Sequence, residues 1–97
     1  MSTHLNLSKI PEHMHEGIQN YIEQGLRPGS FLYNIFCNDF VHAAGQSDDI
    51  NRNCLLDYAI LLYNDFPIPS WGNEGKVNMW IAMGGMNQYK IHGVENA

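Results

Sequence analysis

Charged residues are scarce in this 97-residue sequence, and long apolar runs are absent. Charged side chains occupy 15% of the positions, and the formal net charge is -5. The five Lys and Arg residues are scattered and form no stripe. Nucleic-acid binding is therefore not expected, because it depends on clustered bases that neutralise phosphates. No segment has the length and apolar character of a membrane span, so we expect no membrane partner.

Only two cysteines are present, Cys37 and Cys54, and they match no zinc or disulfide spacing. Both occur in apolar helical contexts, so we expect buried thiols that act as small hydrophobic groups. Residues 1–9 show no signal-peptide pattern, which favours the reducing cytoplasm of a host cell. His13 and Glu16 share a helical face, but two ligands alone make a weak metal signal. The sequence thus predicts no cofactor and no metal.

Apolar residues are plentiful: they make up 44% of the chain and include two Trp, five Tyr and four Phe. This content supports a packed core in one domain. Helical periodicity, capping residues and helix-ending Gly or Pro predict four short helices. The first begins at Pro11 and ends at Gly25, and the others are expected over residues 31–44, 50–65 and 74–83.

The predicted fold is all-α: a compact bundle of about four short helices with a short irregular or extended C-terminal tail. Residues 1–9 are interpreted as a flexible leader, residues 10–85 as the helical domain and residues 86–97 as the tail. From Cys54 to Tyr63 the third predicted helix is apolar almost all round. Such a helix is typical of the centre of a bundle.

Asp39 is the most informative position. On a continuous helix over residues 31–44 it falls near the middle of the apolar face. A carboxylate buried alone is very costly, so it must be paired, hydrogen-bonded or protonated. Three alternatives remain open: Asp39 caps another helix or accepts a hydrogen bond inside the bundle, it lines a pocket, or a bent helix exposes it.

A candidate binding or buried polar site is therefore centred on Asp39. Asn38 is adjacent, and His42 lies one helical turn further along. A small ligand held between the helices would bring Asn64 and Trp71 into the same pocket. Asp39 and His42 also suggest the acid–base pair of a small hydrolase. No candidate nucleophile, however, lies at a sequence spacing that would indicate a catalytic site. No residue is assigned a catalytic role, and binding is favoured over catalysis.

Several short motifs follow one another in a distinctive order between residues 10 and 81. They are Ile-Pro-Glu-His-Met at 10–14, Pro-Gly-Ser-Phe-Leu at 28–32, Asn38-Asp39, Tyr63-Asn64 and Trp71-Gly72. Together they resemble a family of small uncharacterised proteins of bacteriophages and prophages. The resemblance implies an accessory protein made inside a bacterial host, of the kind that binds a host protein such as a defence component. It implies no activity.

The function predicted from the sequence is that of a phage or prophage accessory protein that binds a host protein. The protein could act as a homodimer. The low charge, the eleven Asn residues and the many large apolar side chains favour such binding. A small-ligand-binding helical domain with a pocket at Asp39 is the alternative, and a small hydrolase is the third hypothesis.

Overall fold

The computed structural model describes residues 5–89, and this part of the chain is helical without any strand. The helices are α1 (His15–Gln24), α2 (Ser30–Phe36), α3 (Phe40–Gln46), α4 (Asp49–Arg52), α5 (Leu55–Asp65) and α6 (Glu74–Met83). Short 3-10 turns lie at Glu12–Met14 and Ile68–Ser70. The all-α class is confirmed, but the described helices are more numerous and shorter than the four predicted. In residues 5–89 we find no helix whose length and apolar character would let it cross a bilayer.

The second predicted helix is divided into α2 and α3. Asn38 interrupts it with a positive φ of 64°, a conformation that Asn adopts more readily than most residues. Asp39 then becomes the N-cap of α3, and its side chain accepts a hydrogen bond from the backbone N–H of His42. The placement of Asp39 on a buried apolar face was therefore wrong, because it assumed a continuous helix.

The third predicted helix is divided as well, into α4 and α5. Asp48 caps α4 by accepting a hydrogen bond of 2.7 Å from the N–H of Asn51. The Asn51 side chain is buried, and its Oδ1 accepts a 2.7 Å hydrogen bond from the hydroxyl of Tyr58 on α5. This bond ties the short α4 to the longer helix that follows it.

The core is built around aromatic side chains that carry satisfied polar atoms. The Tyr21 hydroxyl donates to the carbonyl of Ser70 at 2.6 Å, and Trp80 Nε1 donates to the carbonyl of Tyr21 at 2.9 Å. The Tyr21 ring stacks on Phe36 with centroids 4.5 Å apart. Burial raises the pKa of the Tyr21 hydroxyl, which keeps it a neutral donor. Other fully buried side chains are Ile18, Ile22, Ile35, Tyr58, Leu62 and Val77.

The segment before the first turn packs against the helices. Residues 5–9 were expected to belong to a flexible leader, but Leu7 is buried, as is Ile10 beside it. The backbone N–H of Asn6 also donates to Asp65 Oδ2 on α5 at 2.8 Å. At the other end, residues 85–89 are helical rather than irregular or extended. The rest of the predicted tail, like residues 1–4, lies outside the described residues.

Candidate interaction surface

Asp39 and His42 form a local pair at the start of α3. His42 Nδ1 lies 2.7 Å from Asp39 Oδ2, and the side chains are 75% and 42% exposed, respectively. The hydrogen bonds from the His42 ring and backbone N–H hold the pKa of the Asp39 carboxyl below its usual range. This pair is an exposed helix cap, and it is not a carboxylate held in an apolar interior.

The other predicted site residues, Asn38, Asn64 and Trp71, make no side-chain hydrogen bond to Asp39 among those described. Asn38 is exposed in the turn before it, and Asn64 is exposed on α5. Trp71 packs half-buried against the core, where the N–H of Gly72 donates to the carbonyl of Phe36 at 2.9 Å. Among the side-chain hydrogen bonds in residues 5–89, none joins Asn64 or Trp71 to Asp39. Of the five predicted site residues, the described hydrogen bonds thus join only Asp39 and His42.

The surroundings of the pair do not supply an activated nucleophile. Cys37 is the nearest thiol in sequence, and burial raises its pKa, whereas a reactive cysteine needs a lowered one. Cys37 and Cys54 are both half-buried, rather than fully buried as expected. In the described part of the chain, no three His, Cys, Asp or Glu side chains come together as metal ligands.

The outer face of α5 carries three exposed apolar side chains. Leu56 is 73% exposed, Ile60 48% and Tyr63 81%. With successive residues 100° apart, these three side chains fall within an arc of about 60°. The opposite face carries Tyr58 and Leu62 and is buried in the core. We call the three exposed residues the α5 stripe.

The α5 stripe corrects the prediction of a central helix. The sequence indicated a central helix that is apolar almost all round, but Leu56, Ile60 and Tyr63 leave an apolar side of α5 exposed. Other exposed apolar side chains, such as Val41 on α3 and Met79 on α6, lie on different helices. The spacing of Leu56, Ile60 and Tyr63 was visible in the sequence. Such a spacing does not show whether the face is buried, because periodicity cannot distinguish a covered apolar face from an uncovered one.

A surface groove of about 280 Å³ adjoins the stripe at Ile60. Ile10 and Leu61 also line it, so its floor is apolar. Its polar lining consists of Asn6, Ser8, Lys9, Asp57, Asn64 and Asp65. We call this feature the α5 groove. It forms because the segment before the first 3-10 turn lies along α5, held by the hydrogen bond between Asn6 and Asp65.

The α5 groove contains two carboxylates and one amine. The ion pairs in residues 5–89 join His13 to Asp48, His42 to Asp39 and Arg52 to Asp49. Asp57, Asp65 and Lys9 take part in none of these described pairs. The groove therefore offers side-chain charge to a molecule that binds across it.

Comparison with protein-family models, curated proteins and solved structures finds nothing that matches this chain. The functional inference consequently depends on the fold and on the contacts of its residues. Of the features in residues 5–89, the α5 stripe with its adjoining groove is the best candidate for a functional surface.

Proposed function

We propose that this protein acts by binding another protein through the α5 stripe. The observation that carries the proposal is the exposure of Leu56, Ile60 and Tyr63 on a helix whose other face is in the core. Contiguous apolar patches on small proteins often mark interaction surfaces. Tyrosine is also enriched at the centres of protein interfaces, where its ring contributes a large contact area.

The shape of the surface supports a protein partner over a small molecule. Small-molecule sites are usually enclosed, with volumes of about 300–1,000 Å³. The α5 groove is open and has about 280 Å³, and the stripe beside it is convex, as on any exposed helix. A small ligand bound at Asp39 has less support, because Asp39 lines none of the described surface grooves.

Hydrolysis by Asp39 and His42 has the least support. A hydrolase needs a nucleophile, a base and a site for the developing negative charge in one place. The Asp39–His42 pair supplies a base with an orienting carboxylate, but its side chains are also accounted for as the cap of α3. The binding proposal requires no such additional group.

The partner is proposed to be a host protein in a bacterial cell. This part of the proposal follows from the resemblance of residues 10–81 to small phage and prophage proteins. Accessory proteins of that class commonly bind a component of the host, including its defence systems. The exposed α5 stripe is compatible with this mode of action, because it leaves a binding face free on a folded chain.

The test compares two glutamate substitutions at similarly exposed apolar positions. Leu56→Glu places a charge in the α5 stripe, and Val41→Glu places one on α3. The tagged protein is recovered from bacterial cells, and bound proteins are identified by mass spectrometry after thermal melts have shown that both variants fold. We expect one stoichiometric complex with the wild type and Val41→Glu, and its loss with Leu56→Glu. A complex that survives Leu56→Glu, or none with the wild type, would contradict the proposal.

A further inference from the structure

The α5 stripe and the α5 groove form one continuous surface because Ile60 belongs to both. A partner that covers the stripe therefore also meets the groove. The stripe is uncharged, whereas the groove presents Asp57 and Asp65. A partner that covers both features therefore needs an apolar face for the stripe and, beside that face, polar or charged residues for the groove.

The two carboxylates lie at different angles around α5: Asp57 is about 90° from the middle of the stripe, and Asp65 is about 170° from it. Asp57 is therefore the carboxylate on the flank of the stripe, and Asp65 lies at the far side of the groove. Asp57 and Asp65 are eight residues apart on α5, which corresponds to about 12 Å along the helix axis. Asp57 is half-buried. Asp65 Oδ2 accepts from the N–H of Asn6, which leaves Oδ1 available to another donor. Lys9 balances one of these two charges, and the groove keeps an excess of negative charge.

Charge also argues against a second copy of this chain as the occupant. Helix α5 contains no Lys, Arg or His. Pairing of two α5 stripes would therefore place no base of either helix beside the Asp57 carboxylates, which lie about 100° around α5 from Leu56. Each chain also has a formal net charge of -5, which adds repulsion between copies. A partner with basic residues would instead meet complementary charge.

We propose that the occupant of this surface is a basic amphipathic helix of the partner protein. Its apolar residues cover Leu56, Ile60 and Tyr63, and Lys or Arg side chains on one flank reach Asp57, the groove carboxylate next to the stripe. Two helices pack through apolar side chains that interdigitate on their facing surfaces, and the exposed stripe offers one such surface. The inference rests on the proposed function, since it identifies the chemistry of the partner that the α5 stripe binds.

The test uses two synthetic helical peptides as probes, one of Leu and Lys and one of Leu and Glu in the same pattern. Binding is followed by fluorescence anisotropy at about 0.15 M salt, where long-range attraction is screened. Asp57→Asn removes a groove carboxylate, and Asp49→Asn makes the same change of net charge on α4. We expect the Leu/Lys peptide to bind, and Asp57→Asn to weaken it by about threefold to fivefold. Asp49→Asn should have an effect below about twofold.

Several outcomes would overturn the inference. Equal weakening by Asp57→Asn and Asp49→Asn would indicate attraction to the net charge alone. Equal binding of both peptides, or no binding of the Leu/Lys peptide, would remove the preference for bases. A mass of two chains in light scattering that falls to one chain in Leu56→Ser would make a second copy the occupant.

The variant Leu56→Ser separates this inference from the proposed function. If it weakens both peptides while Asp57→Asn affects neither, the stripe binds proteins without a preference for bases, and only the inference fails. If Leu56→Ser leaves the binding of the peptides and the recovery of the cellular complex unchanged, the α5 stripe is not the binding surface. In that case the proposed function fails as well.

Discussion

At the scale of single residues, the contact between Asp39 and His42 shows how one side chain starts a helix directly after the turn at Asn38. Asp39 Oδ1 accepts from the backbone N–H of His42 at 3.3 Å, and Oδ2 lies 2.7 Å from the imidazole Nδ1. Both contacts favour the ionised carboxylate, and the pKa of Asp39 is accordingly lowered. Because folding lowers this pKa, the cap stabilises the folded chain above the unfolded pKa. That contribution is lost as the pH falls through the folded pKa.

We expect an NMR titration of the Asp39 side-chain carboxyl to have its midpoint below the ordinary value of 3.8. In His42→Ala the imidazole contact is lost and the backbone contact stays, so the midpoint should rise part of the way back. A wild-type midpoint at or above 3.8 would show that the two contacts do not form in solution. A midpoint unchanged in His42→Ala would assign the lowered pKa to the backbone hydrogen bond alone.

The residues around Asp39 also show which local features could be predicted from the sequence and which could not. The argument from the cost of burying a charge does not apply to Asp39, because its side chain is 42% exposed. A bent helix that exposes Asp39 was one of the three alternatives, but the sequence did not locate the bend. Asn38 leaves the helical conformation at a single residue, and an Asn in an otherwise helical pattern gives no reliable sign of such a break.

At the scale of elements, the approach of α1 to the turn after α6 depends on two glycines. A Cβ on Gly85 would lie 2.7 Å from the backbone nitrogen of Gln24 and closer still to that of Gly25. Gly85 also has a φ of 77°, which is costly for other residues. The backbones of the two elements are thus in direct contact, and no side chain fits between them.

We therefore expect Gly85→Ala to lower the free energy of unfolding by about 2–4 kcal/mol, because it adds both a clash and an unfavourable φ. Gly45→Ala is the matched control, since a Cβ at this position of α3 meets nothing within 4 Å. It should raise stability by up to about 1 kcal/mol through helix propensity. Urea unfolding of the two variants measures both changes, and equal effects would show that the contact between Gly25 and Gly85 is absent.

Helix ends were predicted better than helix continuity. Gly25 and Gly84 end α1 and α6 in the left-handed conformation, and α6 is capped by Asn73, where the residue types allowed Ser70 or Asn73. These signals are local, so the sequence contains them in full. The break at residues 53–54 instead accompanies the burial of Asn51 against Tyr58. That contact depends on the packing of two helices and has no local signature.

At the scale of the whole molecule, the apolar content of the chain exceeds what its core covers. The sequence indicated an abundance of large apolar residues, and much of it is buried around Trp80 and Tyr21. The remainder includes the α5 stripe, whose exposure depends on where the other helices lie. A helical pattern specifies which residues share a face, but the arrangement of the helices decides whether that face is covered. The candidate surface could therefore be recognised only from the assembled fold.

If the α5 stripe is a binding surface, its side chains should contribute little to the stability of the isolated chain. Leu56 is exposed, so Leu56→Ser should change the free energy of unfolding by no more than about 0.5 kcal/mol. Leu62 lies on the buried face of the same helix, and Leu62→Ala should cost about 2–5 kcal/mol. Thermal or urea unfolding of the purified variants distinguishes the two positions. Comparable losses would mean that the stripe is covered in the isolated chain, and it would then belong to the folding core and offer no surface to a partner.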